Sequence, residues 1–350
     1  MQTINKLPPI SVIVLAHEQC DDLRRNLPAV LQQEYSGHFE VIVVDMNSTD
    51  DTKLLLEQMA KRYPHLHTII IPGTVRNISP SRLALTLGMR AASYDCVALT
   101  TADCCPATSQ WLHRLGECFV RKESTQIVLG YTRSEGSKGW SGLRHRFFRT
   151  WQQIQNLSYA RRHGGYRADG TNLCYSRSLF LEHRGFADDA NLLMGATDIM
   201  VNRHSNGQNT EVCLYPESFM IQHLPPYRGR WHEERIFFME TRRHFRHTVL
   251  FRLRYFVAAG QAWFATLCAT AGVTTGILLQ NITVAILSVA LWMAYNALCS
   301  YLFNRKVKAL GERPFTFTYP LLVHLIPLWD TTAWLQWLFT KRQVFRKKFI

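Results

Sequence analysis

The stretch Ala98-Leu99-Thr100-Thr101-Ala102-Asp103-Cys104-Cys105-Pro106 decides how the chain is read. Asp95-Cys96-Val97-Ala98-Leu99-Thr100 has the length and apolar character of a buried strand, and the run then meets an acid, Asp103. A carboxylate at the carboxyl end of a parallel strand faces the crevice in which open α/β sheets bind ligands. The competing role is local: Asp103 as the cap of a helix that begins near Thr108.

Working outward, Ile10 to Ala16 is a continuous apolar run, the pattern of a strand buried on both faces. Phe39 to Asp45 repeats it and again ends in an acid. Between them, Asp21 and Asp22 open a helix to about Gln33. Asn47 to Thr52 supply turn and cap residues for a helix through Tyr63. Leu66 to Ile71 reads as the third strand, Ser79 to Ala92 as a helix, and Asp95 to Thr100 as the fourth strand. A helix over Ser109 to Arg121 and a fifth strand over Gln126 to Gly130 follow. Strands alternating with helices predict an α/β fold, a mainly parallel sheet flanked by helices.

Beyond that sheet, Tyr131 to Gly139 reads as a polar loop and Ser141 to Arg162 as a basic helix with a solvated face. A short strand over Asn172 to Tyr175 and a short helix over Ser178 to Arg184 come next. Met194 to Ser205 is helical, with Gly195-Ala196-Thr197-Asp198 at its start. Thr210 to Gln222 holds one or two short strands. Tyr227-Arg228-Gly229-Arg230-Trp231 then leads into a helix from His232.

Lys and Arg number 40 against 26 Asp and Glu, a net charge of +14, which calls for an anionic partner. The basic clusters flank apolar segments and no recognition motif is visible, so nucleic acid is not the expected partner. The nine cysteines lack metal-ligand or small-disulfide spacing and read as buried thiols in a reducing compartment. The histidines are scattered, which argues against a zinc site made by protein alone. Met1 to Ile10 holds no apolar core of signal-peptide length, so export of the first domain is not expected.

From Tyr255 to Asn304 there is no Asp, Glu, Lys, Arg or His. A bilayer span needs about 20 mainly apolar residues, so this region accommodates two helices, Phe256–Leu279 and Ile282–Phe303, turning at Gln280-Asn281. The competing reading, a pair of buried helices, fits poorly with so long an uncharged run. The Thr, Gly and Gln positions of the first helix suit close packing against the second. Arg242, Arg243, Arg246, Arg252 and Arg254 precede the pair, and Arg305, Lys306 and Lys308 follow it. By the positive-inside rule both flanks, and the α/β domain with them, lie in the cytoplasm, on a multi-pass protein of the inner membrane. Tyr319 to Phe339 is apolar but interrupted by Pro320, His324, Pro327 and Asp330, and is expected to be interfacial or re-entrant, with a third span as the alternative. Lys341, Arg342, Arg346, Lys347 and Lys348 form a basic tail suited to anionic headgroups. The expected division is 7–230 for the α/β domain, 231–254 for a basic amphipathic connecting helix, 255–304 for the transmembrane pair and 305–350 for the remainder.

Several motifs taken together resemble a family 2 glycosyltransferase with a GT-A fold. They are Ser11-Val12-Ile13-Val14, Val43-Val44-Asp45 with Ser48 to Thr52, the Ala102-Asp103-Cys104 turn, Gly170-Thr171-Asn172-Leu173, Gly195 to Asp198, and Arg230-Trp231. The resemblance spans roughly Leu7 to Arg246. It implies inverting transfer from a nucleotide-sugar, with a UDP-sugar the expected donor and Mg²⁺ or Mn²⁺ as cofactor. By the same resemblance Ala16, His17, Glu18 and Asp45 contact the nucleotide, Arg82 lies near the diphosphate, and Asp103 binds metal and diphosphate.

The departures from the family pattern are specific. Thr101 stands where the acidic motif often has its first Asp, so a hydroxyl, water or the substrate must complete the metal shell around Asp103. Met46 replaces a second acid after Asp45. Ala196-Thr197-Asp198 replaces a Glu-Asp pair, which leaves Asp198 as the candidate general base; its competing role is to stabilise the helix dipole. Tyr227 to Trp231 is similar to the Gln-x-x-Arg-Trp motif of membrane-bound relatives, which implies Arg230 on the donor diphosphate and Trp231 on an acceptor sugar, or as an interfacial anchor.

The expectation is therefore a metal-dependent, hexosyltransferase-like enzyme at the cytoplasmic face. Its acceptor would be membrane-proximal: a lipid-linked sugar, a polyprenyl phosphate or a surface polysaccharide. Two spans are too few for a polymer-exporting synthase. A catalytically inactive relative that serves as a scaffold in polysaccharide assembly is the rival.

Overall fold

The computed structural model describes residues 7–72, 78–135, 139–223, 230–246 and 248–345. Tyr227, Arg228, Gly229, the side chains of Arg230 and Arg342, and the basic-tail residues Arg346, Lys347 and Lys348 lie outside what is described. In chain order the first elements are β1 (Ile10–Ala16), α1 (Cys20–Leu31), β2 (Phe39–Asp45), α2 (Thr52–Arg62), β3 (Leu66–Ile70), α3 (Pro80–Ala91) and β4 (Cys96–Thr101). Then come β5 (Cys104–Pro106), α4 (Trp111–Phe119), β6 (Ile127–Leu129), β7 (Thr132–Glu135), α5 (Gly139–His163), β8 (Leu173–Ser176) and α6 (Arg177–Glu182). The chain continues with α7 (Ala196–His204), β9 (Thr210–Val212), β10 (Met220–His223), α8 (Arg230–Thr241), α9 (Val249–Leu278), α10 (Ile282–Ala309) and α11 (Tyr319–Phe339).

The apolar runs form the middle of a seven-stranded sheet of order β3-β2-β1-β4-β8-β6-β9. β1 pairs in parallel with β2 on one side and β4 on the other. β8 runs antiparallel to both its neighbours, so the sheet is mixed although mainly parallel. Alternate residues of the central strands serve opposite faces, as the two-residue period of a strand requires. Val12, Val14, Val41, Val43 and Ala98 pack with α1, α2 and α4, whereas Ile13, Ile42, Val44, Val97 and Leu99 pack with α3, α5 and α7.

A second, three-stranded sheet of order β5-β10-β7 crosses the carboxyl end of the first. Its β7 occupies the stretch expected to be a polar loop. The sequence Thr-Arg-Ser-Glu carries no apolar run, and β7 joins the sheet only by pairing in parallel with β10.

α5 is not the solvated helix its charge suggests. Phe147, Phe148, Trp151 and Ile154 are buried, and Phe147 meets Phe303, Phe315 and Tyr319 of the C-terminal region. Each such aromatic stabilises the contact by roughly 1.5–3 kcal/mol. The helix is thus sandwiched between the sheet and the C-terminal helices, and its arginines emerge at the margins of that contact. Tyr131 extends the junction by donating its hydroxyl to Glu312 at 3.1 Å.

Among the described residues, α9 and α10 are long and apolar enough to cross a membrane. Phe256 is 75% exposed and Leu291 70%, which disposes of the buried-pair reading, since large apolar faces of this kind need a partner or a lipid phase. Gln280 turns the chain with φ +51, and the Asn281 side chain caps α10 by accepting from the Thr283 and Val284 amides. Near that turn a Cβ on Gly276 would lie 2.7 Å from the Ala285 nitrogen, so the helices meet backbone to backbone there. α11 is one continuous helix despite Pro327. It is tied to α9 by Tyr255 donating to Asp330 at 2.7 Å and by Trp263 donating to the His324 carbonyl at 2.8 Å.

Candidate active site

A cavity of about 610 Å³ opens where β1, β2 and β4 end. Its walls include Leu15, Met46, Thr101 and Asp103 on the sheet side, Asp169 and Asp198 across from them, and Trp231 and Arg235 from α8.

Asp103 lies in the turn between β4 and β5 and is 4% exposed. Its Oδ1 accepts from the Thr101 hydroxyl at 2.6 Å and from the Cys104 thiol at 3.7 Å. Its Oδ2 accepts from Gln222 at 2.9 Å. Gln222 arrives because β10 pairs with β5, setting it opposite Cys104. The helix that follows starts at Trp111 with Gln110 at its cap, so capping is not the role of Asp103. Across the cavity Arg149 donates to Asp169 at 3.1 Å. Burial works against the Arg149 charge, but Glu234 and Asp169 more than offset it and hold the pKa above its ordinary value.

Asp198 sits in the first turn of α7. Gly195, with φ +74, lets the chain enter that helix, and the Thr241 side chain fills the place a Cβ would take. The Asp198 carboxylate is gripped at both oxygens: Arg167 donates from Nε to Oδ1 at 3.1 Å and from Nη2 to Oδ2 at 3.2 Å. Burial pushes the Asp198 carboxyl above its ordinary value, and Arg167 opposes that rise.

Residues 11–184 match glycosyl transferase family 2. The chain belongs to glycosyl transferase family 2. The matched residues take in Asp45, Asp103 and Arg167 and stop before Asp198. Glycosyltransferase AglE of Haloferax volcanii is 32% identical over 156 residues, 43% of this chain and 49% of that protein. The chain thus spans about half the length of that curated relative. Among solved structures, the mannosyltransferase PcManGT of Pyrobaculum calidifontis, in complex with GDP-Man and Mn²⁺, superposes with a TM-score of 0.61. That likeness covers 97% of this chain and 89% of the other at 16% identity, which is a likeness of fold.

The family 2 resemblance distributes further roles, and the structure places those residues unevenly. Asp45 is buried at the end of β2, beside Ala16 in register. Its Oδ1 accepts from the amide and hydroxyl of Ser48 at 3.0 and 2.5 Å. Glu18, with φ +52, accepts from the Thr49 amide at 2.7 Å. His17 is exposed beside it. Glu18 and the Ala16 carbonyl tie the loop after β1 to the loop after β2, Asp45 braces the second loop from within, and the cavity wall there is made by their neighbours Leu15, Gln19 and Met46.

Arg82 is turned away from the expected diphosphate position. It is 1% exposed, pairs with Asp189 at 3.2 Å, and donates to the carbonyls of Leu192 and Met194 at 2.9 and 3.2 Å. Burial lowers its pKa and Asp189 opposes the fall. A guanidinium with these partners fixes the segment leading into α7.

Trp231 is wedged among α5, α8 and α11. Arg144 and Arg235 lie over its ring at 4.2 and 4.5 Å, and Phe148 and Trp329 meet it edge-on. A ring so covered is a poor platform for an acceptor sugar.

The site residues missing from the sequence reading are Arg149, Arg167, Asp169 and Gln222, while Arg235 reads there as a partner in local helix salt bridges with Glu233 and Glu234. Arg149 and Arg235 sit among many similar residues on basic helices, and Gln222 gains its place only through β10. Arg167 and Asp169 flank the Gly170 to Leu173 motif, which was the signal available for them.

Proposed function

We propose that the protein transfers a sugar from a nucleotide-sugar to a membrane-proximal acceptor, with inversion at the anomeric carbon. The observation that supports this is the pair of carboxylates, Asp103 and Asp198, on the walls of one cavity at the strand ends of a family 2 chain. The helices α9 and α10 would hold the cavity at the cytoplasmic surface of the membrane.

Asp103 offers the hard oxygen a Mg²⁺ or Mn²⁺ ion needs, with the Thr101 hydroxyl beside it. Among the described residues no group of three or more His, Cys, Asp or Glu could hold a metal by itself. The donor diphosphate and water are therefore needed to complete the shell. Such an ion, when bound, offsets negative charge on the leaving diphosphate. Arg149, a cation lining the same cavity, is better placed than Arg82 to share in this, and Arg230 at the start of α8 is a further candidate. Asp198 takes the proton of the acceptor hydroxyl as its oxygen bonds to the anomeric carbon. The bond to the diphosphate oxygen breaks, and the nucleoside diphosphate leaves with the electron pair. For that step Asp198 must loosen one of its two bonds to Arg167.

The test is the full-length protein in detergent, supplied with UDP- and GDP-sugars and Mn²⁺. Release of nucleoside diphosphate that EDTA abolishes, and a product of inverted anomeric configuration by NMR, are expected. A product of retained configuration would overturn the mechanism.

A further inference from the structure

Three aspartates line the active-site cavity. Asp103 and Asp198 are buried, at 4% and 6% exposure. The third, Asp169, keeps 37% of its side-chain surface open. It is nonetheless held in one orientation. Its Oδ1 accepts from the Thr171 amide at 3.3 Å and from the Thr171 hydroxyl at 2.7 Å, and its Oδ2 accepts from Arg149 Nη2 at 3.1 Å. The Thr171 hydroxyl also meets the Thr132 hydroxyl at 2.8 Å. Because Thr171 gives its proton to Asp169, Thr132 is the donor in that second bond. A carboxylate has about four lone-pair sites. Two on Oδ1 and one on Oδ2 are taken among the described residues, which leaves acceptor capacity on Oδ2 at the cavity surface.

The backbone fixes where that acceptor lies. β8 runs antiparallel to β4 with Leu173 opposite Leu99, so the residues before Leu173 and those after Leu99 leave the sheet at the same end. Asp169 stands four residues before Leu173, and Asp103 four residues after Leu99. Two residues earlier still, Arg167 reaches Asp198. The segment thus runs from Asp198 towards the end of β4, with Asp169 between the other two acids. Asp169 is close enough to Asp198 to add to the rise that burial, the larger cause, imposes on that carboxyl. In the transfer proposed above, the leaving diphosphate belongs at Asp103 and the acceptor hydroxyl at Asp198. The group that spans the interval is the sugar being transferred.

We infer that Asp169 is a specificity-determining residue for the donor, its Oδ2 accepting a hydrogen bond from a hydroxyl of the transferred sugar. This rests on the glycosyltransferase reading and specifies how that site chooses its sugar. A sugar hydroxyl is a donor that an ionised carboxylate binds well, whereas the carboxylate of a uronic acid would be repelled. The site is therefore built for a neutral sugar that carries the contacted hydroxyl.

The test is binding, measured by calorimetry on the full chain in detergent with Mn²⁺ and without acceptor. The probes are UDP-glucose and GDP-mannose, the deoxy and uronate counterparts of each, and UDP and GDP alone. Wild type should bind one deoxy counterpart, and the uronate, about tenfold or more weakly than the parent, since a site that hydrogen-bonds a hydroxyl rejects the analogue lacking it. Asp169→Ala should weaken the parent by the same factor and bind that deoxy counterpart equally well. Asp169→Asn keeps an acceptor for Thr171, which guards the fold, and removes the charge, so it should close the gap to the uronate. UDP and GDP alone should bind both variants no less tightly than wild type. Deoxy and uronate penalties that persist unchanged in the variants would overturn the assignment. So would an equal loss for UDP or GDP, which would make Asp169 only the partner of Arg149. Wild type that binds UDP or GDP but does not distinguish the sugars would sink this inference alone, whereas failure to bind either nucleotide would count against the glycosyltransferase reading and this inference together.

Discussion

Arg167 holds Asp198 by both carboxylate oxygens, at 3.1 and 3.2 Å, on the wall of the cavity that also contains Asp103. A carboxylate so held is ordered but not free, and its protonation is set chiefly by the balance between burial, which raises the pKa, and the guanidinium, which lowers it.

Arg167→Gln removes the cation that chiefly opposes burial, so the Asp198 pKa rises further. The carboxylate works as a base only when ionised, so activity is present above that pKa and lost as pH falls through it. The acid limb of the kcat profile should therefore move to higher pH in the variant. An unmoved limb would mean that Asp198 is not the titrating group.

Gln222→Leu takes away the donor that orients Asp103 Oδ2 without touching the carboxylate. Outer-shell changes of this kind typically cost about 10- to 100-fold in metal affinity. The Mn²⁺ concentration that gives half-maximal nucleoside diphosphate release should rise by that factor, while turnover at saturating Mn²⁺ changes much less.

Arg82→Ala breaks a buried ion pair and leaves Asp189 only its longer contact to Arg203 at 3.9 Å, at a cost of about 3 kcal/mol, the low end for a broken buried pair. Asp189→Ala should then add little to the damage, because both changes act on one interaction. Thermal melts of the two single variants and the double variant check this. A contact to the diphosphate would appear instead as a higher donor KM with stability intact.

How far these roles were legible in the sequence depends on the kind of contact. β1, β2 and β4 are buried on both faces, so their apolar runs announce them, and the apolar lengths of α9 and α10 do the same for the C-terminal helices. β10 falls where one or two short strands were expected, whereas β7 is short and polar and exists because it pairs with β10, which no run of residues records. The strand-end acids Asp45 and Asp103 were legible as positions but not as environments. Asp45 is committed to Ser48, whereas Asp103 is committed to Thr101 and to Gln222, which lies 119 residues further on. Arg82 illustrates the same limit: its helix matches the family pattern, while its partner Asp189 lies on a distant loop. The aromatic stripe of α5 was visible among its arginines, yet only the C-terminal helices packed on it show that the stripe is covered.

Gly276→Val and Gly260→Leu should diverge in stability although both lie in α9. At Gly276 an added side chain meets the backbone of α10 at 2.7 Å, and overpacking of this kind costs about 1–3 kcal/mol. At Gly260 the space is open, and replacing a mid-helix glycine gains roughly 0.5–1 kcal/mol. Melting curves in detergent should show the first variant below wild type and the second at or above it.

The most direct test of the central claim, that the cavity between Asp103 and Asp198 is a working glycosyl-transfer site, compares three proteins in one assay. Wild type, Asp103→Ala and Asp198→Ala are purified in detergent, checked for intact fold by circular dichroism, and supplied with nucleotide-sugar, acceptor and Mn²⁺. Wild type should turn over, and each variant should fall by about 100-fold or more, the scale on which acid–base groups contribute. Equal, background-level turnover by all three folded proteins would contradict the claim and make the chain a scaffold that has kept the fold without the chemistry.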